Sequence, residues 1–404
     1  MSSSTVVPAA EVVDPFAPAR LGPITLRNRI VKAATHEGMA VDGQVTDRLI
    51  EYHRRPAAGG VGMTTLAYVV AAPEGRTYRH QIVMTPAAVP GLRRLTDAVH
   101  AEGAAAQMQL GHAGWFANPA EMRAQAVGPS RLPNPHTFKL TARATAEDLA
   151  RLRDDFRRSA ALAVEAGFDA IEVHLGHGYL LSQFLTPFTN RRRDVYGGSI
   201  VNRARFPREV VQAVRDGAGD GIAVTAKLNT TDGFRGGLTN DDAVEVARLL
   251  QVDGCLDALQ LSGGFTARTP MFLLRGEPLL PRMAEQEDDR LRAMTLKVAS
   301  RVLREDTTFR EAFLLELARP FLDVGIPLML LGGVTKRATI DQAMAEGFAF
   351  VAMARALLHD PDLVNRMVAG ELDQSGCVPC NLCILEMEAG RGAACMRLPA
   401  SQRV

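Results

Sequence analysis

Four of the five cysteines crowd towards the C-terminal end of the chain, and their types and spacing suggest chemistry. Two residues separate Cys377 from Cys380 and Cys380 from Cys383, and Cys395 follows further on. This crowding would be unusual for a disulfide framework in a chain of 404 residues, whereas closely spaced thiolates are typical ligands of zinc or of an iron–sulfur cluster. The spacing predicts a ligand cluster, with an iron–sulfur centre, zinc and free thiols as the alternatives.

A second set of residues combines two glycines with an arginine. Gly332 and Gly333 follow one apolar run, and Arg355 follows the next. Glycine allows backbone N–H groups to approach an anion closely, and a basic residue after the following strand supplies the opposite charge. A glycine pair alone would indicate a tight turn, but the pair together with Arg355 predicts a phosphate site.

A third set lies in one short stretch, where His174, His177 and Tyr179 follow an apolar run. Two histidines could ligate a metal, but no third ligand follows at a standard zinc spacing. Imidazole N–H groups are also hydrogen-bond donors, and a tyrosine is either a general acid or a packing residue. The stretch is therefore a candidate for catalysis.

Eight short apolar runs with β-forming character precede or contain these residues. They are Asn28–Ala34, Gly62–Val70, Ala104–Leu110, Ala170–Leu175, Ala223–Leu228, Asp257–Ser262, Pro327–Gly333 and Phe350–Arg355. Helical periodicity separates them, at Thr46–Arg55, Ala87–Glu102, Ala146–Ala166, Val201–Asp216, Asn240–Val252 and Lys336–Glu346. The alternation predicts an α/β fold, a single-domain (β/α)8 TIM barrel with long loop insertions, and a doubly wound open sheet is the alternative. In a barrel, the C-terminal ends of the strands would bring the second and third sets to one face.

The predicted organisation has three parts. An N-terminal arm covers residues 1–27, the barrel covers 28–370 with an insertion at about 266–321, and a cysteine-rich segment covers 371–404. The insertion is long for a loop within a compact barrel and is predicted to be a partly helical lid.

Charge and hydropathy exclude several classes of protein. Lys and Arg number 46 against 45 Asp and Glu, so the chain lacks the basic field that nucleic acid or an anionic membrane would require. No window approaches the roughly 20 apolar residues of a membrane span, and the N-terminus lacks a charged-then-apolar leader. These patterns predict a cytoplasmic protein with a small-molecule partner, and they leave open a homo-oligomer or an external redox partner.

The stretch HLGHGYLLSQFLTPFTNRRRDVYGGSIVNRARF resembles the signature of the Old Yellow Enzyme family, and LRNRIVKAAT, GGVGMTTLAYVVAAPEGR, AQMQLGHAG, LLGGV and FVAMARALLHDPDLV resemble its other blocks in the same order. The resemblance covers nearly the whole chain. It implies an FMN-dependent enzyme that takes electrons from NAD(P)H and reduces activated C=C bonds of α,β-unsaturated carbonyl or nitro compounds. His174 and His177 would hydrogen-bond the electron-withdrawing oxygen of the substrate, and Tyr179 would donate the proton. Of three consecutive arginines only Arg193 fits the family pattern, and the other two are predicted to be solvated.

The same resemblance implies how FMN would be held. The flavin ring would lie against Ala33, Ala34 and Thr35, and its polar edge would lie against Ala67 and Gln109. Its pyrimidine end would lie near Lys227. The phosphate would lie at the last two strands, at Gly332, Gly333, Ala354 and Arg355. The family more often has Arg where this chain has Lys227, which keeps the charge that stabilises reduced flavin but loses the bidentate donors.

The cysteine-rich segment resembles the cluster segment of the family's larger members, the dienoyl-CoA reductases and trimethylamine dehydrogenases. The resemblance implies a [4Fe–4S] cluster at Cys377, Cys380, Cys383 and Cys395. In those relatives a further FAD- and nucleotide-binding portion follows the barrel, whereas this sequence stops at Val404, so a cluster here would exchange electrons with an external partner. Oxidation or demethylation of an amine, and a non-redox lyase or isomerase that binds a phosphorylated substrate, are the alternative functions.

Overall fold

Eight parallel strands close into a barrel in the computed structural model, which describes residues 13–118, 125–135, 137, 139–287, 289–302 and 306–403. The barrel strands are β1 (Ile30–Lys32), β2 (Met63–Val70), β3 (Ala105–Gly111), β4 (Ala170–Leu175), β5 (Ala223–Asn229), β6 (Ala258–Ser262), β7 (Leu328–Leu330) and β8 (Phe350–Met353). Each strand pairs with the next in parallel, and β8 pairs with β1. The predicted barrel is confirmed, and the open-sheet alternative is wrong because no edge remains in this sheet.

Helices lie between and after the strands. They are α1 (Asp47–Ala58), α2 (Val89–Ala101), α3 (Ala146–Glu165), α4 (Leu180–Leu185), α5 (Ile200–Ala218), α6 (Asn240–Asp253), α7 (Pro270–Leu273), α8 (Leu279–Gln286), α9 (Arg290–Val302), α10 (Leu315–Ala318), α11 (Arg337–Ala345), α12 (Arg355–His359), α13 (Leu363–Val368) and α14 (Leu382–Glu388). Helix α3 begins with a capping box, in which Thr145 and Asp148 each accept a hydrogen bond from the other's backbone N–H. Thr239 caps α6 in the same position. None of the described helices is long and apolar enough to cross a membrane.

Three predicted strands, which correspond to β1, β7 and β8, extend past the observed C-terminal ends, and the backbone explains the last two. Strand β7 ends at Leu330 because Gly332 and Gly333 follow with φ of 122° and 75°, angles that glycine tolerates and that end an extended strand. Strand β8 ends at Met353, and Arg355 opens helix α12 instead of closing the strand. Both differences occur at the predicted phosphate site.

An N-terminal hairpin closes the lower end of the barrel. Residues Ala19–Leu21 pair with Ile24–Leu26 in antiparallel fashion. Leu21 and Leu26 are buried in one cluster with the lowest inward-facing side chains of the strands, among them Val31, Met63 and Phe350. This end of the barrel is an apolar plug, so a polar site has to form at the opposite end.

Polar side chains fill the barrel above the plug. Thr65 donates to Gln107 at 2.9 Å, and Gln107 donates to Thr225 at 2.9 Å, all three buried. Alternate residues of a strand face the same side, so the next inward positions of β3 and β5 are Gln109 and Lys227. The interior thus changes from apolar to charged towards the C-terminal ends of the strands.

The insertion at about 266–321 contains helices α7 to α10, as expected of a partly helical segment. Its C-terminal part lies on the upper end of the barrel, since a Cβ atom added to Gly332 would meet Leu314 and one added to Gly333 would meet Phe313 and Phe309. The role of the insertion as a lid stays a prediction, and so do the boundaries of the arm and of the cysteine-rich segment.

Candidate active site

His174 and His177 lie next to each other at the top of β4. His174 Nε2 and His177 Nδ1 are 2.9 Å apart, and His177 Nε2 is 2.7 Å from Ser262 Oγ at the end of β6. His177 has a left-handed φ of 61°, and its backbone N–H donates to Asn229 at 3.1 Å. In either tautomer of this pair, His174 Nδ1 is buried without a partner among the described residues.

Both imidazoles are held neutral. Burial, together with the nearby Lys227 ammonium as a smaller cause, lowers the pKa of His177 to about 3. Burial also holds the pKa of His174 well below its usual range, with His177 and Lys227 as further causes. A neutral imidazole carries one N–H donor and one acceptor, so at neutral pH the pair offers hydrogen bonds to an oxygen without adding a full charge.

Tyr179 completes the group within a cluster of rings. Its ring centroid is 4.8 Å from that of His174 and 5.1 Å from that of Tyr68. Burial raises the pKa of Tyr179 well above its usual value, and Tyr68 and Glu388 raise it further. The phenol therefore keeps its proton across the whole physiological range. The structure thus brings the three predicted catalytic residues together.

A cleft opens above the strands beside His177. Eight of the ten residues predicted to hold FMN line it: Ala33, Ala34, Thr35, Lys227, Gly332, Gly333, Ala354 and Arg355. Leu273, Leu274 and Phe313 of the insertion form an apolar wall. The cleft joins a cationic end at β5 to a glycine-lined end at β7 and β8, with an apolar middle, as a flavin ring with a phosphate tail requires.

The glycine-lined end suits a phosphate. The backbone N–H groups of Gly332 and Gly333 donate to no acceptor within the described residues. Arg355 lies in the same wall, where its guanidinium donates to the backbone oxygen of Arg275 and to the side chain of Asn381. Free backbone donors beside a cation form an anion site, so the residues present fit the phosphate of FMN.

Ala67 and Gln109 are not among the described residues that line this cleft. The Ala67 backbone N–H donates to Glu37 at 3.0 Å, and the Gln109 amide donates to Glu172 Oε1 at 2.7 Å. Lys227 Nζ lies 2.9 Å from that same carboxylate oxygen. Their predicted contact with the flavin edge remains a prediction.

Sequence reasoning missed Glu172, Ser262 and Asn229, which hold the predicted residues in place. One signal could have found Glu172. It precedes His174 by two positions on a strand and so shares its inward face. The partners on β5 and β6 carried no such signal, because contacts between strands depend on the register of the closed barrel.

None of the four C-terminal cysteines forms a disulfide in the described part of the chain; Cys383 is buried and the other three are partly exposed. Cys377 lines the same cleft as the predicted flavin residues. Burial raises the pKa of Cys383 to about 12 and that of Cys377 to about 11, although Arg355 opposes both shifts. Within the part of the chain that the structure describes, no group of three His, Cys, Asp or Glu side chains is placed to hold a metal ion. The cluster stays a prediction.

The expected solvation of Arg192 is wrong. Its side chain is 5% exposed and pairs with Asp194 at 2.7 Å, and it also donates to the backbone oxygen of Ala144 at 2.8 Å. Arg191 and Arg193 are exposed. A run of arginines shows its total charge in the sequence but not which member turns inward towards an acidic partner.

A parallel barrel with a candidate catalytic group and a candidate anion site at the ends of β7 and β8 is typical of a cofactor-binding barrel enzyme. Residues 14–258 match the sequence profile of the NADH:flavin oxidoreductase / NADH oxidase family. The chain therefore belongs to this family, which includes the Old Yellow Enzymes, and is an FMN-dependent oxidoreductase that uses NAD(P)H.

Three curated relatives show how the family varies. The 4,4'-dithiodibutanoate disulfide reductase of Rhodococcus erythropolis is 49% identical over 377 residues, which are 93% of this chain and 93% of the relative. The metal reductase of Desulforamulus reducens is 32% identical, and the NADH oxidase of Thermoanaerobacter brockii is 30% identical. This chain spans about half the length of these last two, 55% and 52%.

Solved structures share the barrel. The 2-naphthoyl-CoA reductase bound to 2-naphthoyl-CoA matches with a TM-score of 0.82 and 25% identity over 95% of this chain and 57% of the other. The Old Yellow Enzyme homologue from Zymomonas mobilis matches with a TM-score of 0.70 and 22% identity over 91% of this chain and 95% of the other. The second likeness shows the fold alone.

Proposed function

We propose that this enzyme reduces activated C=C bonds of α,β-unsaturated carbonyl compounds at the expense of NAD(P)H. The observation that carries the proposal is the group formed by His174, His177 and Tyr179, in which two neutral imidazoles and a protonated phenol meet beside the candidate flavin cleft. This combination supplies hydrogen-bond donors for a developing oxyanion together with a proton for carbon.

When bound, FMN would take two electrons from NAD(P)H and deliver hydride to the β-carbon of the alkene. The imidazoles of His174 and His177 orient the substrate carbonyl and donate hydrogen bonds to its oxygen as negative charge builds there. To do so, they exchange the bond that they now make with each other, 2.9 Å long, for bonds to the substrate. Neutral rings suit this role, because they donate without giving up a proton.

Tyr179 supplies the second half of the addition. Its hydroxyl proton moves to the α-carbon, which balances the hydride added at the β-carbon and completes a saturated carbonyl product. The raised pKa of Tyr179 keeps this proton in place until the acceptor needs it. Solvent then returns a proton to the tyrosinate. The rings of Tyr68 and Phe116 pack around Tyr179 and limit the access of water.

An organic disulfide is the second candidate acceptor, and the 49% identical disulfide reductase favours it. Two electrons and two protons convert one disulfide into two thiols, so the S–S bond breaks and one sulfur leaves as a thiolate. The same imidazole donors would stabilise that thiolate, and Tyr179 would protonate it. The site chemistry therefore suits both acceptors, and only a rate comparison separates them.

The test is a rapid-mixing experiment with the FMN-loaded protein, reduced anaerobically and mixed with cyclohexenone or with 4,4'-dithiodibutanoate at equal concentrations. Faster reoxidation of the flavin by cyclohexenone supports the alkene as acceptor. Faster reoxidation by the disulfide, with release of two thiols for each flavin oxidised, transfers the proposal to the second candidate. Reoxidation by neither compound rejects both.

A [4Fe–4S] cluster at the four C-terminal cysteines is a separate proposal, supported by their spacing and by the position of Cys377 in the wall of the cleft. Anaerobic purification should give about four irons per chain and a broad absorbance near roughly 400 nm that Cys380→Ser removes. A full iron content in Cys380→Ser, or one zinc in place of iron, would reject it. A cluster that becomes reduced when an amine substrate is oxidised would favour the amine alternative, since electrons would then leave the protein through the cluster.

A further inference from the structure

A fully buried carboxylate that the proposed chemistry does not use lies directly beneath the candidate site. Glu172 Oε1 accepts a hydrogen bond from the Gln109 amide at 2.7 Å and lies 2.9 Å from Lys227 Nζ. The side chains of Glu172 and Lys227 are 1% and 2% exposed. One oxygen atom thus holds two residues that the family resemblance places against the flavin.

The barrel register fixes this arrangement. Gln109 of β3 pairs with Glu172 of β4, and His174 of β4 pairs with Lys227 of β5. Glu172 therefore faces inward one layer below His174, between the two neighbouring strands. Of these two residues, Lys227 lines the cleft and Glu172 does not.

A second lysine repeats the pattern on the other side of the cleft floor. Lys32 Nζ lies 3.7 Å from Glu37 Oε1, with both side chains buried, and it also donates to the hydroxyl of Thr35, which lines the cleft. Burial lowers the pKa of Lys32 to about 8, Glu37 opposes that shift and Lys227 adds to it. Each buried lysine near the flavin has its own carboxylate, and the floor of the cleft carries little net charge.

We propose that Glu172 is a positioning residue that holds Lys227 and Gln109 in place and offsets the positive charge of Lys227, thereby keeping the reduction potential of the bound FMN low. A cation near the pyrimidine end of the ring stabilises the anionic reduced flavin. A carboxylate 2.9 Å behind that cation cancels much of its field. The inference rests on the FMN site alone, and it holds for an alkene or a disulfide as acceptor.

The experiment measures the midpoint potential of FMN in Glu172→Gln at pH 6, by anaerobic titration against a reference dye. The variant keeps the size of the side chain and removes its charge. Reduced FMN should be favoured about tenfold over the wild type, equivalent to a rise of about 30 mV for a two-electron couple. Glu172→Asp restores the charge and should bring the equilibrium constant back to within about threefold of the wild-type value.

Removing one partner of a buried ion pair can prevent folding, so a double variant complements the single one. Glu172→Gln with Lys227→Gln removes both charges and should bind FMN with a potential no higher than that of the wild type. An unchanged or lower potential in Glu172→Gln overturns the inference, and so does a double variant whose potential exceeds the wild-type value. Because the readout is a potential, a failure here leaves the choice of acceptor untouched.

Discussion

The two ends of the candidate flavin cleft are built in different ways. At β4 and β5, side chains form a buried network that includes His174, His177, Glu172 and Lys227, and nearly every polar atom already has a partner. At β7 and β8, the wall consists of backbone and small residues, and the N–H groups of Gly332 and Gly333 have no acceptor within the described residues.

The difference separates two tasks. The phosphate end only has to hold an anion, which backbone donors and one arginine do without further chemistry. The reacting end has to present groups in fixed protonation states, and burial with defined partners fixes them. The four variants below test whether chemistry and cofactor binding divide between the two ends in this way.

The largest effect is expected at the reacting end. Tyr179→Phe removes the proton donor and should slow the oxidative half-reaction by about 100-fold or more, while reduction of FMN by NAD(P)H continues at the wild-type rate. Stopped-flow spectroscopy measures the two half-reactions separately. Tyr196→Phe is a matched control, because that phenol contacts Glu209 away from the cleft. An unaltered oxidative half-reaction in Tyr179→Phe would remove this residue from the mechanism.

The histidines should show a smaller, graded effect. His174→Leu loses one donor and should weaken the binding of a phenolate such as that of 4-hydroxybenzaldehyde by roughly 10- to 100-fold, as expected for a hydrogen bond to a charged oxygen. His177→Asn keeps a hydrogen-bond donor, and asparagine tolerates the left-handed backbone at this position. This variant should therefore lose less affinity for the phenolate than His174→Leu does. Spectral titration of the FMN-loaded variants measures both affinities. Equal affinity for the phenolate in the wild type and in both variants would contradict the oxyanion role of the histidines.

At the opposite end, Gly333→Ala should weaken FMN binding by about tenfold, because a Cβ atom at this φ of 75° is strained and would meet Phe313 at 2.8 Å. Gly370→Ala is the matched control, since Gly370 has a similar φ of 71° and open space around its Cβ position. Both variants should lose stability, but only the first should lose FMN affinity, measured by fluorescence titration of the apoprotein. Equal FMN affinities would place the phosphate elsewhere.

The smallest effect is a change in pH dependence. Unfolded histidine binds a proton below about pH 6.5, whereas folded His177 does so only near pH 3. Its contribution to stability is therefore complete above pH 6.5 and declines as the pH falls towards 3, by at most about 1.4 kcal/mol per pH unit. His177→Asn should flatten this slope in denaturant unfolding measured at pH 4 to 7. Identical slopes in the two proteins would show that His177 is charged in the folded state.

The sequence predicted the barrel and most of the cleft because both depend on local patterns. Apolar runs alternating with helical periodicity specify the strand count, and residues at strand ends reach one face in any barrel. This is why Gly332 and Arg355 could be predicted to share a site from their positions, whereas the family resemblance added Ala33 and Lys227 to it.

The features of the site that the sequence did not predict depend on contacts across the barrel. The bond between His177 and Ser262 joins strands that are not neighbours, and no spacing in the sequence encodes it. The burial of Arg192 follows from Asp194 and from the Ala144 carbonyl, which the chain brings from a distant loop. The described thiols do not form a group placed to hold a metal ion, and the ligand cluster predicted from the cysteine spacing stays a prediction.

The most direct test of the account is an anaerobic absorbance spectrum of the purified protein, recorded before and after NADPH or NADH and again after cyclohexenone or 4,4'-dithiodibutanoate. An FMN-dependent oxidoreductase of this kind should show flavin bands that the nucleotide bleaches and that at least one acceptor restores, and Gly333→Ala should retain less flavin. A protein without flavin bands that takes up no added FMN, or bleached bands that neither acceptor restores, would contradict it.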